Sequence, residues 1–415
     1  MKIFFAHKIL CLTIFLTQLF LTIMRILHTS DLHIGKKLEF RSRLDEQKDV
    51  LDEIVSVADE NDVQLVLIAG DVYDTFTPSS EAEKLFYEFL SNLSAGKRIV
   101  VVVSGNHDDA MRLSASRTLS ACSDVYFADG ENVIKNGDFL SSGIKMREVG
   151  SNYFVVESTD GEKAYIGTLS YPTELRLKEK ISSEETYEEK VRRWIGACFE
   201  NNREKLPQIL VSHLFMLGGV KTDGERSIEL GGARIVSKSA IPDECVYTAL
   251  GHLHKRQVVD RDRNVIYSGS ILQYSFDEAK TDKSVTVFDL SNGTVQNLNV
   301  VKLSAGIKLF RLSASSLSEA REMLGNVDGF VELTLKLDKP LEYAEHKAFL
   351  QEFPNVFPRL SFNGGESFSG ERRSLSDKEV FVEFYKSKYG EEPDVRLTDA
   401  FMEIINAIEV GDETA

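Results

Sequence analysis

Five apolar, strand-like runs each stop at a polar cluster, and this repeated stop constrains the chain more than any other feature. The runs end in Asp31-Leu32-His33, Gly70-Asp71-Val72-Tyr73-Asp74, Gly105-Asn106-His107-Asp108, Ser212-His213 and Gly251-His252-Leu253-His254. Residues 63–69 and 98–103 are continuous and β-branched, as strands buried on both faces are. Between them Leu51, Ile54, Val55 and Ala58, and then Leu85, Phe86, Phe89, Leu90 and Leu93, recur at helical spacing. Residues 208–212 and 245–250 add two buried strands, and 183–203 a polar helical stretch. Asp160-Gly161 reads as the turn of a hairpin joining 153–157 to 163–167. The pattern predicts an α/β core of mixed sheets flanked by helices. In open sheets of this kind ligands bind outside the carboxyl ends of the strands, so all five clusters can converge on one site.

Taken singly, each cluster has an ordinary reading, since a lone His at a strand end is commonly just a hydrogen-bonded residue. Their joint occurrence is not ordinary: five of the eight histidines lie in them. The G-H-x-H cluster carries most weight, because an extended segment points alternate side chains to the same side. Carboxylates, imidazoles and one amide, with no thiolate, suit Mn²⁺, Fe or Zn²⁺. Seven ligands of these kinds are too many for one ion. Two cations bridged by a carboxylate would use them all and would suit phosphodiester hydrolysis. The four cysteines, Cys11, Cys122, Cys198 and Cys245, form no C-x-x-C pair. That excludes a disulfide framework or thiolate zinc site and fits a reducing, cytoplasmic setting.

In this order, D-x-H, G-D-x-x-D, G-N-H-D, a lone His and G-H-x-H resemble the calcineurin-like metallophosphoesterase superfamily. Residues 27–35, 70–74, 251–257 and above all 267–276 are similar to nuclease subunits within it that work with an SMC-like ATPase of the SbcC type. The likeness runs from Met24 nearly to the C-terminus. It implies two divalent ions, with Mn²⁺ the first expectation. Asp31, His33, Asp71 and His254 would hold one, and Asp71, Asn106, His213 and His252 the other. A hydroxide between the ions would attack phosphorus in line. His107 is the candidate for protonating the leaving 3′ oxygen or orienting the phosphate, with Asp108 orienting its imidazole. His28, inside the first strand, reads as a core residue or one supporting a ligand. The resemblance further implies double-strand 3′–5′ exonuclease and single-strand or hairpin endonuclease activity, and a homodimer within a heterotetramer. A phosphomonoesterase, a small-molecule phosphodiesterase and a non-catalytic scaffold are the alternatives. No G-x-x-x-x-G-K-[ST] loop occurs, which leaves ATP hydrolysis to the partner.

Charge opposes nucleic-acid binding at first sight: 49 Lys and Arg face 65 Asp and Glu, a formal net charge of −16. Residues 376–415 alone carry 11 acidic and 4 basic side chains, however. Loop cations beside the clusters are the candidate DNA contacts: Lys36, Lys37, Arg41, Arg43, Arg112, Lys255 and Arg256. Their ordinary reading is that Lys and Arg populate any surface. DNA affinity without metal or partner is expected to be weak and steeply salt-dependent.

Residues 1–23 read as a leader outside the core. Positions 9–24 are uncharged and mostly apolar, yet shorter than the ~20 residues that span a bilayer. No small-x-small cleavage site follows, so Met24 is the expected start. Residues 24–300 form the expected phosphoesterase core. Residues 301–363 alternate strand, helix, strand, helix, strand, a small α+β capping domain. A Gly/Ser-rich linker, 364–376, leads to 377–415. There Val380, Phe381, Phe384 and Tyr385, then Phe401, Ile404, Ile405 and Ile408, form two helical stripes suited to docking on the ATPase.

Overall fold

The computed structural model describes residues 23–115, 123–128, 137–173, 176–177, 185–220, 234–337, 339 and 341–362, and near the C-terminus only 382, 385–386, 393–394 and 397–398. Most of the expected linker and docking segment therefore lies outside the described residues. So do Val380, Phe381, Phe384, Phe401, Ile404, Ile405 and Ile408, and Cys11 and Cys122. Tyr385 is described, at a half-buried helical position. Cys198 and Cys245 are buried free thiols. Among the described residues no helix is long and apolar enough to cross a membrane.

The described residues open with β1 (Met24–Thr29), α1 (Leu44–Glu60), β2 (Leu65–Ala69), α2 (Ser80–Ser94), β3 (Ile99–Val103), the single turn α3 (Ala110–Leu113) and β4 (Val125–Phe127). It continues with β5 (Ile144–Val149), β6 (Tyr153–Ser158), β7 (Lys163–Leu169), α4 (Tyr187–Phe199), β8 (Gln208–His213), β9 (Cys245–Gly251), β10 (Gln257–Asp260) and β11 (Val265–Tyr267). β12 (Ser284–Ser291) and β13 (Thr294–Lys302) precede β14 (Leu309–Ala314), α5 (Leu317–Leu324), β15 (Phe330–Leu337), α6 (Tyr343–Glu352) and β16 (Val356–Phe362).

One sheet has the order β13-β12-β1-β2-β3-β4, a second β10-β11-β9-β8-β7-β6-β5, and a third β14-β15-β16. The strands that end in polar clusters are parallel neighbours: β1, β2 and β3 in the first sheet, β8 and β9 in the second. Period-2 alternation explains how continuous apolar runs serve two cores. Ile26, Leu65, Leu67, Val101, Ile209 and Val211 share one core with residues of both sheets. Leu27, Val66, Ile68, Val100 and Val102 face the other way, onto Leu51 and Ile54 of α1 and Phe86 and Phe89 of α2. Leu210 and Leu250 face Trp194 and Ile195 of α4. The result is the expected mixed α/β arrangement, two sheets face to face with helices outside. Each fully buried Val or Ile contributes roughly 1.5–3 kcal/mol. The Asp160-Gly161 hairpin forms as expected, β6 pairing antiparallel with β7.

The strand–helix–strand–helix–strand order after residue 301 is also present. Compactness divides this region unevenly. Among the described residues, those up to Leu312 with Met323–Leu333 and Pro354–Phe357 belong to the larger unit, and Ser313–Glu322, Thr334–Phe353 and those from Pro358 onward to the smaller. The reason is local: Leu309, Phe330 and Phe357 pack with Leu38 and Phe276 of the core.

Candidate metal centre

β1 and β2 run parallel with Thr29 beside Ile68, and the loops after them stay side by side. Asp31 N donates to the Gly70 carbonyl at 2.9 Å, His33 N to Asp71 at 3.0 Å and Ile34 N to Val72 at 2.9 Å. This pairing seats D-x-H against G-D-x-x-D. Left-handed backbone occurs at non-glycine residues of these loops and of the one after β9: φ is 52° at Asp31, 43° at His33, 50° at Asp71 and 104° at His252. Such conformations cost about 1–3 kcal/mol each and persist where the surroundings enforce them. Two glycines allow the close approach. A Cβ on Gly105 would lie 2.1 Å from Asp71 Oδ1, and one on Gly251 1.8 Å from the Ala69 carbonyl oxygen.

All seven expected ligands are buried and converge. His33 Nε2 and His254 Nε2 are 3.0 Å apart. Asn106 Oδ1 is 3.0 Å from both His213 Nε2 and His252 Nδ1. Between these groups sits Asp71, whose Oδ2 is 3.6 Å from His33 Nε2 and 3.3 Å from His213 Nε2. The Asp31 carboxylate accepts from His252 N at 3.0 Å. His28 lies apart in the core, its Nδ1 3.0 Å from the Tyr247 hydroxyl.

The donor set fits cations. His213 Nδ1 lies 2.9 Å from the Ala69 carbonyl, so Nδ1 carries a proton, and Nε2 faces two further acceptors, Asn106 Oδ1 and Asp71 Oδ2, that call for a second proton or a metal ion there. Lone pairs gathered at this range need positive charge among them. Burial opposes a charged His213, but Asp71 and Asp31 outweigh it and push its pKa up to about 9. Burial alone would raise Asp71, yet the facing histidines, His213 foremost, hold it well below the usual carboxylate range. Where such electrostatics gather in one buried cluster, a functional site is the physical expectation.

Several expectations are corrected. G-H-x-H does not converge through an extended strand. β9 ends at Gly251 and the left-handed bend at His252 separates the rings, sending His252 to Asn106 and His254 to His33. Asp108 does not orient His107. Its two oxygens accept backbone N–H groups of Val72, Tyr73 and Gly105 at 3.1, 2.9 and 2.8 Å, stapling the second and third loops together. The His107 Nδ1 proton goes to the Asp74 carbonyl at 2.7 Å, while His107 N donates to Asp71 Oδ1 at 2.9 Å. Arg43 is buried, bonded to Glu46 and to the carbonyls of Gln273 and Ile307, so it holds the fold and is removed from the DNA candidates.

The remaining cations divide. Lys37 and Lys255 are exposed. Lys36 pairs with Asp74 at 2.8 Å and Arg112 with Glu83 at 3.1 Å. Arg41 bonds Asn355 and lies over the rings of Phe40, Phe330 and Phe357, and Arg256 is half-buried.

Sequence reasoning missed supporting residues. Asp74 Oδ1 faces His33 Nδ1 at 3.5 Å. Gln47 Nε2 donates to the His33 carbonyl at 2.9 Å, and the Tyr274 hydroxyl to the Leu32 carbonyl. Arg176 donates to the carbonyls of Gly105 and Asp108 at 2.7 and 2.6 Å. Asp74 carried a signal as the last residue of G-D-x-x-D, and Tyr274 as part of the family-like segment 267–276.

Residues 24–256 match the model of the calcineurin-like phosphoesterase family. Over 408 residues the chain is 36% identical to the SbcD subunit of the nuclease SbcCD of Bacillus subtilis (strain 168), covering 94% of this chain and the whole of that protein. Among solved structures it is similar to TT1561 of Thermus thermophilus (12% identity, 64% of this chain and 94% of that one, TM-score 0.34). A dimetal phosphatase from Danio rerio is another (13% identity, 68% and 99%, TM-score 0.38). The chain therefore belongs to the calcineurin-like phosphoesterases, in the family of the SbcD nuclease subunits, and is a hydrolase of phosphate ester bonds.

Proposed function

We propose that the chain is a metal-dependent DNA nuclease subunit, a double-strand 3′–5′ exonuclease and single-strand or hairpin endonuclease of DNA end processing, recombination and repair. Its partner would be an SbcC-type SMC-like ATPase, held by the helical stripes beyond residue 376, in a cytoplasmic heterotetramer containing two copies of this chain. The observation that carries the reading is Asp71 Oδ2 standing between two sets of inward-facing donors. His33 and His254 with Asp31 would hold one divalent ion, and Asn106, His213 and His252 the other, with Asp71 shared. Mn²⁺ suits this mixture of carboxylate, imidazole and amide. Bound cations of this kind supply Lewis acidity and lower the pKa of the attacking water.

The chain's own residues supply orientation and a proton. The Asp74 carbonyl holds one proton of His107 on Nδ1, so Nε2 would take up a second proton and, as imidazolium, bind the phosphate and pass that proton to the leaving oxygen. The ring stands edge-on to His33, centroids 4.8 Å apart, so it adjoins the donor cluster. Lys37 and Lys255, exposed just after His33 and His254, would meet DNA phosphates.

The test is the full chain with Mn²⁺, offered linear duplex DNA and, separately, p-nitrophenyl phosphate. DNA should be cleaved, and His107→Ala should slow its cleavage by about 10²–10⁴-fold. Hydrolysis of the small ester with inert DNA would contradict the nuclease reading.

A further inference from the structure

Residues 267–276 are the segment most like the nuclease subunits, and Glu278 and Lys283 follow them closely. They lie behind His254. Ser270 N donates to the His254 carbonyl at 3.1 Å. Glu278, in the short 3₁₀ turn Phe276–Glu278, is fully buried and its Oε1 lies 3.4 Å from His254 Nδ1. Tyr274 N donates to the same oxygen at 3.2 Å. Lys283, also buried, donates to Glu278 Oε2, to Ser270 Oγ at 2.7 Å and to the His254 carbonyl at 2.9 Å. The pair thus grips His254 at both ends, the ring through Glu278 and the main chain through Lys283.

A buried ion pair is weak evidence for stability, because desolvation consumes most of the attraction. Its position here has a chemical consequence. An ionised carboxylate only accepts, so the His254 proton must sit on Nδ1, which turns the Nε2 lone pair toward His33 Nε2, 3.0 Å away. His213 gets the same tautomer from a neutral carbonyl, whereas a carboxylate also makes its imidazole more basic. We propose that Glu278 is a positioning residue that sets the tautomer and basicity of His254, with Lys283 holding its carboxylate in place. This rests on the reading of His254 as a metal-holding residue.

Glu278→Gln tests it through hydrogen-bond logic. Lys283 can only donate, and its charge outcompetes the Tyr274 N–H, so the amide oxygen turns to Lys283 and the NH₂ group to His254. That moves the imidazole proton to Nε2 and blocks the lone pair. In the double variant Glu278→Gln, Lys283→Met the amide is released and can turn its oxygen back. Calorimetric titration of the full chain with Mn²⁺ is the readout, with thermal unfolding as a check on folding and His254→Ala as the reference for a lost site. Wild type should take up two ions. Glu278→Gln should weaken one of them by about 10–100-fold and leave the other unchanged, and the double variant should recover most of the loss. Wild-type affinities in Glu278→Gln, or equal loss at both ions without recovery in the double variant, would overturn the proposal. Two ions retained by His254→Ala would overturn the metal reading beneath it.

Discussion

Asp71→Asn is expected to abolish Mn²⁺-dependent cleavage, lowering the rate on the order of 10³-fold or more, about 4 kcal/mol of transition-state stabilisation. Asp71 is the group proposed to bridge the two halves of the centre, its Oδ2 3.6 Å from His33 Nε2 and 3.3 Å from His213 Nε2. The amide keeps the shape and removes the charge. It also converts an acceptor into a donor, so its NH₂ can point at the imidazole lone pairs and relieve the crowding that a cation otherwise relieves. The variant should therefore unfold no earlier than metal-free wild type while binding Mn²⁺ poorly. Thermal unfolding in chelator, paired with a nuclease assay, checks both halves. An active Asp71→Asn would remove the bridging role, and a variant that fails to fold would show that the carboxylate is structural.

The second large effect is on stability. Removing divalent metal leaves a second proton on His213 as the positive charge among the crowded acceptors, and leaves Asp31, His33, Asp71 and His252 in left-handed backbone with no ion bound to offset the cost. Metal that binds only the folded chain stabilises by mass action. At a free concentration 100 times the Kd, each ion adds about 2.7 kcal/mol. By the scaling for domains somewhat smaller than this core, that is a rise of roughly 5–10 °C per site. Scanning calorimetry over a Mn²⁺ series should show Tm climbing with concentration in wild type and much less in Asp71→Asn. A Tm independent of Mn²⁺ would mean that the cluster does not bind it.

Residue types and their order were legible because strand ends are local features. Apolar runs such as 99–103 announce a buried strand, and the polar cluster after each announces where it stops. The alternation after residue 301 was legible for the same reason, with Leu317–Leu324 and Phe330–Leu337 visible as helix and strand. What sequence did not disclose depends on contacts between distant segments. Nothing local to Asp108 tells that its oxygens meet three backbone amides, two of them in the preceding loop. Nothing local to Arg43 distinguishes an arginine buried against Gln273 and Ile307 from one that waits for phosphate. The left-handed bend at His252 overrode the period-2 argument, because the close approach of Gly251 to Ala69 ends the strand one residue before the first histidine. Glu278 and Lys283 were invisible for the opposite reason: charged residues are ordinarily read as surface, and these two are buried.

The most direct test of the central claim is an anomalous difference map from crystals of the full chain grown with Mn²⁺. Two peaks are expected, one on each side of Asp71. The first should contact His33, His254 and Asp31, and the second Asn106, His213 and His252. A single peak, or two that do not share Asp71, would contradict the two-metal account.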